Sequence, residues 1–222
     1  MTDVNPQPEK LAHLFLEGKE KQAIVYLQEL CNDDNRLSIY EDMITPAMYH
    51  IGELWELNKI SVADEHLATG ICDMVISQME NVYFRNKITL PNEKKVMLLG
   101  VEEEQHYLGL KMAASVFKDQ GWTVRYLGPN LPLHHALHFI NEWKPEVIGV
   151  SVALSYRLPK LKEFLQAFQE VDFEPVIIIG GRMTKKHDFD SYSEKKVIVL
   201  EDLRGLQYWL DNGREGDINA TS

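Results

Sequence analysis

Residues 96–109 read VMLLGVEEEQHYLG, an apolar run that passes directly into an acidic loop carrying a histidine. The apolar run has the composition of a parallel β-strand that is covered on both faces. In the loop, Glu104 stands two residues before His106, and Gly109 stands three residues after it. Such an imidazole can offer one ring nitrogen to a metal while the other donates a hydrogen bond to the carboxylate. A Glu-x-His pair on a loop is also a common solvated surface feature, so the neighbouring segments must decide between the two interpretations.

The segment that follows alternates short Val- and Ile-rich runs with amphipathic stretches. Buried parallel strands are apolar throughout, and surface helices repeat apolar residues every three or four positions. The order therefore predicts an α/β domain with a Rossmann- or flavodoxin-like five-stranded parallel sheet. The predicted strands are Val96–Val101, Thr123–Leu127, Val147–Val152, Val176–Ile179 and Val197–Leu200, and the predicted helices are Tyr107–Gln120, Leu133–Trp143, Leu158–Phe168 and Asp202–Asn212.

The N-terminal half shows helical periodicity alone, which predicts a four-helix bundle. Ser61 is expected to cap the last of these helices, with Asp64 at its third position. The polar segment Asn86–Lys95, which contains a proline, is interpreted as a linker. It separates a predicted helical-bundle domain at 8–85 from a predicted α/β domain at 94–215. The four predicted helices are Glu9–Leu16, Lys21–Leu30, Ser38–Leu57 and Ser61–Val82.

Charge and cysteine content narrow the class of protein. The 222-residue chain has a formal net charge of −11 and no stripe of Lys and Arg, so we expect no direct nucleic-acid binding. Cys31 and Cys72 lie far apart in helix-like apolar patterns, which predicts reduced core residues, and not a disulfide or a zinc site. The sequence shows no signal peptide and no run of about 18 apolar residues, so a cytoplasmic protein without a membrane span is expected.

Four polar or glycine-containing loops follow the predicted strands. Each has an ordinary structural explanation as a turn, a helix cap or a site of positive φ. Their common position is more informative, because ligands of open α/β sheets bind at the carboxyl ends of the strands. Paired glycines allow close approach to a bulky group, and a serine leaves room while supplying a hydrogen bond. The loops contain Glu104, His106 and Gly109; Gly128, Pro129 and Asn130; Ser151 and Ala153; and Gly180 and Gly181.

These spaced elements resemble the motif of cobalamin-binding domains, which is Asp-x-His-x-x-Gly, then Ser-x-Leu, then Gly-Gly. Here 41 residues separate Gly109 from Ser151, and 26 separate Ala153 from Gly180, which are family intervals. The resemblance implies that His106 replaces dimethylbenzimidazole as the lower axial ligand of cobalt. It also implies that the nucleotide tail lies in a channel past Ser151 and the Gly180-Gly181 backbone.

The chain departs from that motif at two positions. Glu104 stands where the family usually has Asp, which leaves open whether it or a neighbour is the hydrogen-bond partner of His106. Ala153 stands where Leu is usual, with Leu154 next to it, so the details of the tail pocket are also open.

The helical half contains Trp55, nine further residues and then Glu65-His66. In isolation this spacing fits a core tryptophan and a solvated Glu-His pair. Beside the cobalamin motif it resembles the Trp-x9-Glu-His signature of light-sensing cobalamin photoreceptors. That resemblance implies that the bundle caps the upper face of the corrin and that Trp55 and Glu65 contact an upper ligand, typically 5′-deoxyadenosyl. In the DNA-binding members of that family a His often directly follows this Trp, and it can ligate cobalt after photolysis. Glu56 stands at that position here, which leaves His50 and His66 as candidates for that role.

The resemblance predicts a cobalamin-binding light sensor, and not an enzyme, in which loss of the upper ligand rearranges the domains. Adenosylcobalamin is the expected cofactor, with methylcobalamin as the other candidate. No helix-turn-helix segment precedes the bundle, so regulation through a protein partner or self-association is expected. Two alternatives stay open, a methyl-carrying corrinoid protein of a methyltransferase system and a related haem-binding sensor.

Overall fold

The computed structural model describes residues 6–30, 36–84, 93–187, 189, 192 and 197–212. The chain divides into two compact units, Met1–Ile88 and Thr89–Ser222. Several sequence-based expectations fall outside the described residues, namely Cys31, residues 86–92 of the predicted linker, and the predicted domain ends at 85 and 213–215. The described helices include none that is long and apolar enough to cross a membrane.

The first unit is helical, as predicted. Its helices are α1 (Pro8–Leu16), α2 (Glu20–Leu30), α3 (Arg36–Ser38), a π-helical turn (Ile39–Ile44), α4 (Thr45–Glu56) and α5 (Val62–Phe84). Helix α1 packs on α2, α4 and α5, and α2 packs on α5. The residues that fill the space between these helices recur at helical spacing and are fully buried, Leu11, Phe15, Leu27, Ile44, Ile51, Cys72 and Val75. The burial of Cys72 confirms its predicted place in the core.

The predicted helix Ser38–Leu57 is helical as far as Glu56, but its first part is not α-helical. The chain forms a π-helical turn at Ile39–Ile44 before α4, and the amide of Thr45 bonds to the carbonyl of Tyr40. Pro46 supplies the physical reason, because proline has no amide hydrogen and its ring crowds the carbonyl four residues earlier. A wider turn relieves that crowding. Apolar periodicity does not distinguish the two helix types.

A reciprocal cap begins α5, as the sequence predicted. The Ser61 hydroxyl accepts a hydrogen bond from the Asp64 amide at 3.2 Å, and the Ser61 amide donates to the Asp64 carboxylate at 2.8 Å. This arrangement satisfies amides that have no partner at a helix start. It fixes the turn between α4 and α5, so Trp55 stands at the end of one helix and Glu65 in the first turn of the next.

The second unit contains the predicted five-stranded parallel sheet. Its central strands are buried on both faces because helices cover them, which explains their continuous apolar sequence. The strands are β1 (Lys95–Gly100), β2 (Thr123–Gly128), β3 (Val147–Ser151), β4 (Val176–Gly180) and β5 (Val197–Val199), and the helices are α6 (Leu108–Asp119), α7 (Leu133–Trp143), α8 (Leu158–Gln169) and α9 (Leu203–Asp211).

The strand order is β2-β1-β3-β4-β5. It reverses direction at β1, whose neighbours are β2 on one side and β3 on the other. In this topology the loops after β1 and β3 leave the sheet in opposite directions and open a crevice at the carboxyl edge. The loop after β1 carries His106, and β3 ends at Ser151. The fold therefore places these two residues at the edge where a ligand is expected.

Candidate functional site

Three small residues, of which Ser151 and Gly180 belong to the motif, stand in one row of the sheet. Gly100 is the register partner of Ser151, and Ser151 is the register partner of Gly180. The row ends the three central strands, so the loops that follow begin side by side. The long sequence intervals between the motif elements are the lengths of the intervening helices and strands.

The loop after β1 brings Glu104 and His106 into direct contact. The Nδ1 atom of His106 lies 2.6 Å from Oε1 of Glu104, and the His106 amide donates to the same oxygen at 3.0 Å. An ionised carboxylate only accepts hydrogen bonds, so in the neutral imidazole Nδ1 carries the proton. Nε2 then keeps its lone pair, and it has no hydrogen-bond partner in the part of the chain that the structure describes.

Glu104 is fully buried, and its second oxygen accepts a hydrogen bond from the amide of Ala153 at 2.8 Å. Burial raises the pKa of this carboxyl, but the hydrogen bonds from the His106 ring and from the two amides outweigh it, so the pKa lies below its usual value. Glu104 thus orients His106 itself, although the resemblance pointed to Asp. It also ties the loop after β1 to the loop after β3.

The loop after β4 approaches the loop after β3 closely. Gly181 has φ of 108°, and a Cβ atom built there would lie 2.3 Å from the carbonyl oxygen of Val152. The preceding residue differs, since a Cβ on Gly180 would meet no atom within 4 Å. One glycine is therefore required by the fold, and the other borders open space. Ser151 is 8% exposed, and its hydroxyl makes no hydrogen bond within the described residues.

Gly109 lies in the first turn of α6, where a Cβ would also meet open space. Ala153 is nearly buried, and its amide, not its methyl group, makes the contact with Glu104. The residue type at this position therefore has little effect on that hydrogen bond. The structure brings Glu104, His106 and Ala153 into contact, whereas Gly109 borders the same loop.

Two residues outside the cobalamin motif join this group of loops. Asn130, in the loop after β2, accepts a hydrogen bond from the Glu103 amide at 2.7 Å. Arg157, just before α8, pairs with the Glu103 carboxylate. The Gly-Pro-Asn sequence signalled a turn but not this contact. No pattern in the sequence links Glu103 to Arg157, because they are 54 positions apart.

In the helical unit, Trp55 is 48% exposed and therefore is not the core tryptophan that its spacing also allowed. Glu65 is half-buried and accepts a hydrogen bond from the Thr69 hydroxyl at 2.8 Å. His66 points largely into solvent, with its Nε2 3.9 Å from the Glu65 carboxylate. His50 shows no feature that assigns it a role.

Comparison with known families matches both units. One model, described as a B12 binding domain, matches residues 8–80, and a second model of the same description matches residues 94–201. The chain belongs to the B12-binding-domain proteins. It is a cobalamin-binding protein in which the helical and the α/β segments each match a B12-binding model.

Individual relatives are more distant. The HTH-type transcriptional repressor CarH of Myxococcus xanthus is 24% identical over 152 residues, which cover 68% of this chain and 49% of CarH. The B12-binding chain thus spans about half the length of this curated relative.

Among solved structures, a monomethylamine corrinoid protein of Methanosarcina barkeri aligns with a TM-score of 0.71 and 12% identity, covering 91% of this chain and 96% of that one. The methanol:cobalamin methyltransferase complex MtaBC of the same organism aligns with a TM-score of 0.50 and 18% identity, covering 96% and 79%. At these identities the solved structures show a common fold.

The residues at the sheet edge fit a B12 cofactor. His106 would hold the metal of such a cofactor, because it presents an oriented imidazole with an unengaged Nε2. A bulky tail needs room beside a polar contact, and the open space at Gly180 next to the Ser151 hydroxyl offers both. In the described residues, no three or more His, Cys, Asp or Glu side chains are grouped to hold a metal ion by themselves.

Proposed function

We propose that this protein is a cobalamin-dependent light sensor that passes its signal to a protein partner or to another copy of itself. In this proposal His106 is the lower axial ligand, oriented by Glu104. Ser151, Gly180 and Gly181 border the nucleotide tail, and Trp55 and Glu65 contact the upper ligand. Adenosylcobalamin is the preferred form.

The exposure of Trp55 is the observation that favours a sensor. A tryptophan is usually well covered in a folded protein, yet this one is 48% exposed at the end of α4. Leu57, which caps the end of α4, and Val62, the first residue of α5, are 63% and 56% exposed. A group of exposed apolar side chains is typical of a ligand or partner surface. Glu65 follows in the first turn of α5, at the spacing found in the photoreceptors.

The chain's own residues have limited chemical tasks in this function. Glu104 accepts the Nδ1 proton of His106 and so keeps Nε2 available as a donor. The nearly buried Ser151 offers one hydroxyl at the sheet edge. Trp55 supplies an apolar surface and Glu65 a carboxylate. Bound cobalamin supplies the visible absorption and a photolabile cobalt–carbon bond.

Reconstitution in the dark tests the proposal directly. The protein is loaded anaerobically with adenosylcobalamin, and its absorption spectrum and its size by gel filtration are recorded before and after green illumination. A sensor shows a new spectrum and an altered size or partner affinity after light. A spectrum that illumination leaves unchanged contradicts the sensor function, while cobalamin binding itself still stands.

The alternative is a methyl-carrying corrinoid protein. The alignment with the monomethylamine corrinoid protein along nearly its whole length favours this candidate. A carrier binds methylcobalamin at least as tightly as adenosylcobalamin in the dark, and it gives up its methyl group when a cognate methyltransferase is added. A sensor prefers the adenosyl form, so the ratio of the two dissociation constants separates the candidates. A Soret band after incubation with haem would point to the haem-binding alternative.

A further inference from the structure

We propose that Asn130 is a positioning residue for His106, which holds the loop after β1 from the β2 side. The inference rests on the proposed role of His106 as axial ligand. Asn130 lies in the loop between β2 and α7, outside the sequence motif that identifies the cobalamin site.

Asn130 makes hydrogen bonds to two consecutive residues of the loop after β1. Its side-chain Oδ1 accepts a hydrogen bond from the Glu103 amide at 2.7 Å. Its own amide donates to the carbonyl of Glu104 at 2.9 Å. These bonds lie on either side of the peptide that joins Glu103 to Glu104, so they fix its orientation. Because the Glu104 carboxylate orients the His106 ring, the orientation of that peptide also determines where the imidazole lies.

The loop segment that is hydrogen-bonded to Asn130 contains an unfavourable backbone conformation. Glu103 has φ of 67°, in the left-handed region that side chains other than Gly, Asn and Asp rarely adopt. Such a conformation persists only where the surroundings impose it. Asn130 supplies one restraint from the β2 side, and the pairing of the Glu103 carboxylate with Arg157 supplies another from the β3 side. The loop that carries His106 is thus held from both neighbouring strands.

A purely structural role for Asn130 is the competing explanation. Its own φ is 54°, a conformation that asparagine tolerates well, so the residue type could serve the turn alone. In addition, the Leu131 amide bonds to the Gly100 carbonyl at 3.1 Å, so the turn has a further anchor to β1. The two roles make different demands. The turn requires a residue that accepts positive φ, whereas positioning requires the side-chain oxygen.

Two substitutions separate these demands. Asn130→Gly keeps the left-handed backbone and removes the Oδ1 acceptor, while Asn130→Asp keeps both the acceptor and the tolerance of positive φ. Lys144→Gly is the matched control, because Lys144 also has φ of 46° in the same unit but lies at the end of α7, before β3 and so at the opposite edge of the sheet. Thermal unfolding of each variant without cofactor measures the structural contribution.

The readout is the lower ligand of bound cob(II)alamin in full-length protein labelled with ¹⁵N-histidine. Electron paramagnetic resonance distinguishes a ¹⁵N imidazole ligand, which splits each line into a doublet, from dimethylbenzimidazole, which gives a triplet. For Asn130→Gly we expect the equilibrium constant for imidazole ligation to fall roughly fivefold, the effect of one neutral hydrogen bond. Asn130→Asp restores most of it, and Lys144→Gly leaves it unchanged.

The outcomes are distinct. A wild-type protein without the imidazole doublet contradicts the proposed function itself. A wild-type doublet that Asn130→Gly fully retains overturns the positioning role and leaves the proposed function intact. The same holds if Asn130→Gly and Asn130→Asp weaken ligation equally, since the effect would then not follow the hydrogen-bond acceptor.

Discussion

The buried carboxylate of Glu104 lies 2.6 Å from Nδ1 of His106 and fixes the imidazole at the edge of the sheet. The same carboxylate reaches across to the Ala153 amide, so one side chain connects the loops after two adjacent strands. Its three hydrogen-bond donors are the ring and the amide of His106, two positions away, and the amide of Ala153, 49 positions away. Orientation of the candidate ligand and closure of the sheet edge therefore depend on the same group.

Glu104→Gln is expected to weaken both the orientation of His106 and the connection between the loops after β1 and β3. A glutamine offers one acceptor oxygen and turns an amide donor toward a group that also donates, leaving a buried polar contact unpaired. We expect a loss of roughly 1–3 kcal/mol in the free energy of unfolding, together with weaker cobalamin binding. Urea unfolding and a cobalamin titration measure the two effects.

Glu102→Gln is the control for this change, because Glu102 pairs with Lys160 at 3.0 Å on the surface. An exposed pair of this kind contributes about 0–1 kcal/mol. Equal losses in the two variants would show that the buried contacts of Glu104 have no special weight.

The stability of the α/β unit should fall in acid, and Glu104 gives the direction. Its pKa in the folded protein lies below the usual carboxyl value. A lowered pKa means that the unfolded chain binds the proton more tightly, so the stabilisation is complete above the unfolded pKa, about 4.3, and is lost as the pH falls through the folded pKa. We therefore expect the difference in unfolding free energy between wild type and Glu104→Gln to be constant near neutral pH and to shrink below about pH 4. A difference that grows on acidification would contradict this assignment.

The sheet was predictable from sequence because its central strands are buried on both faces. Val147–Ser151, for example, is apolar up to the polar residue that ends it, and the structure shows every one of its residues buried. The capping box at Ser61 was predictable for a different reason, since both partners lie within one turn of helix. The π-helical turn at residues 39–44 was not predicted, because a π turn and an α turn share the same apolar periodicity.

The contacts that support His106 were less accessible to sequence reasoning. The pattern proposed His106 and Glu104 as a pair because they are two residues apart. Asn130 and Arg157 reach the same loop from 27 and 54 positions away from Glu103. Their roles depend on the strand order, which places β1 between β2 and β3. Alternation of strands and helices predicts the class of sheet but does not state which loops become neighbours.

The two adjacent glycines should respond differently to the same substitution. Gly181→Ala forces a side chain into positive φ and places its Cβ 2.3 Å from the Val152 carbonyl oxygen, so we expect a loss of roughly 1–3 kcal/mol or more in folding stability. Gly180→Ala meets no atom within 4 Å, so folding stability should change by less than about 1 kcal/mol. If Gly180 borders the nucleotide tail, this variant nevertheless binds cobalamin more weakly. Thermal unfolding without cofactor and a cobalamin titration give the two values. A Gly180→Ala variant with wild-type affinity would remove Gly180 from the proposed tail site.

Trp55→Ala tests the upper-ligand role that the photoreceptor resemblance implies. Because the side chain is 48% exposed, its removal should change the stability of the helical unit by less than a core truncation, which costs about 3–5 kcal/mol. If Trp55 contacts the upper ligand, the variant loses affinity for adenosylcobalamin and keeps its affinity for hydroxocobalamin, whose upper ligand is small. Tyr208→Ala is the matched control, an aromatic residue on α9 that is 60% exposed. Titration of the three proteins with both cobalamins in the dark supplies the comparison. Equal loss of both cobalamins in Trp55→Ala would assign the residue to cofactor binding in general, and no loss of either would leave Trp55 without a role in the site.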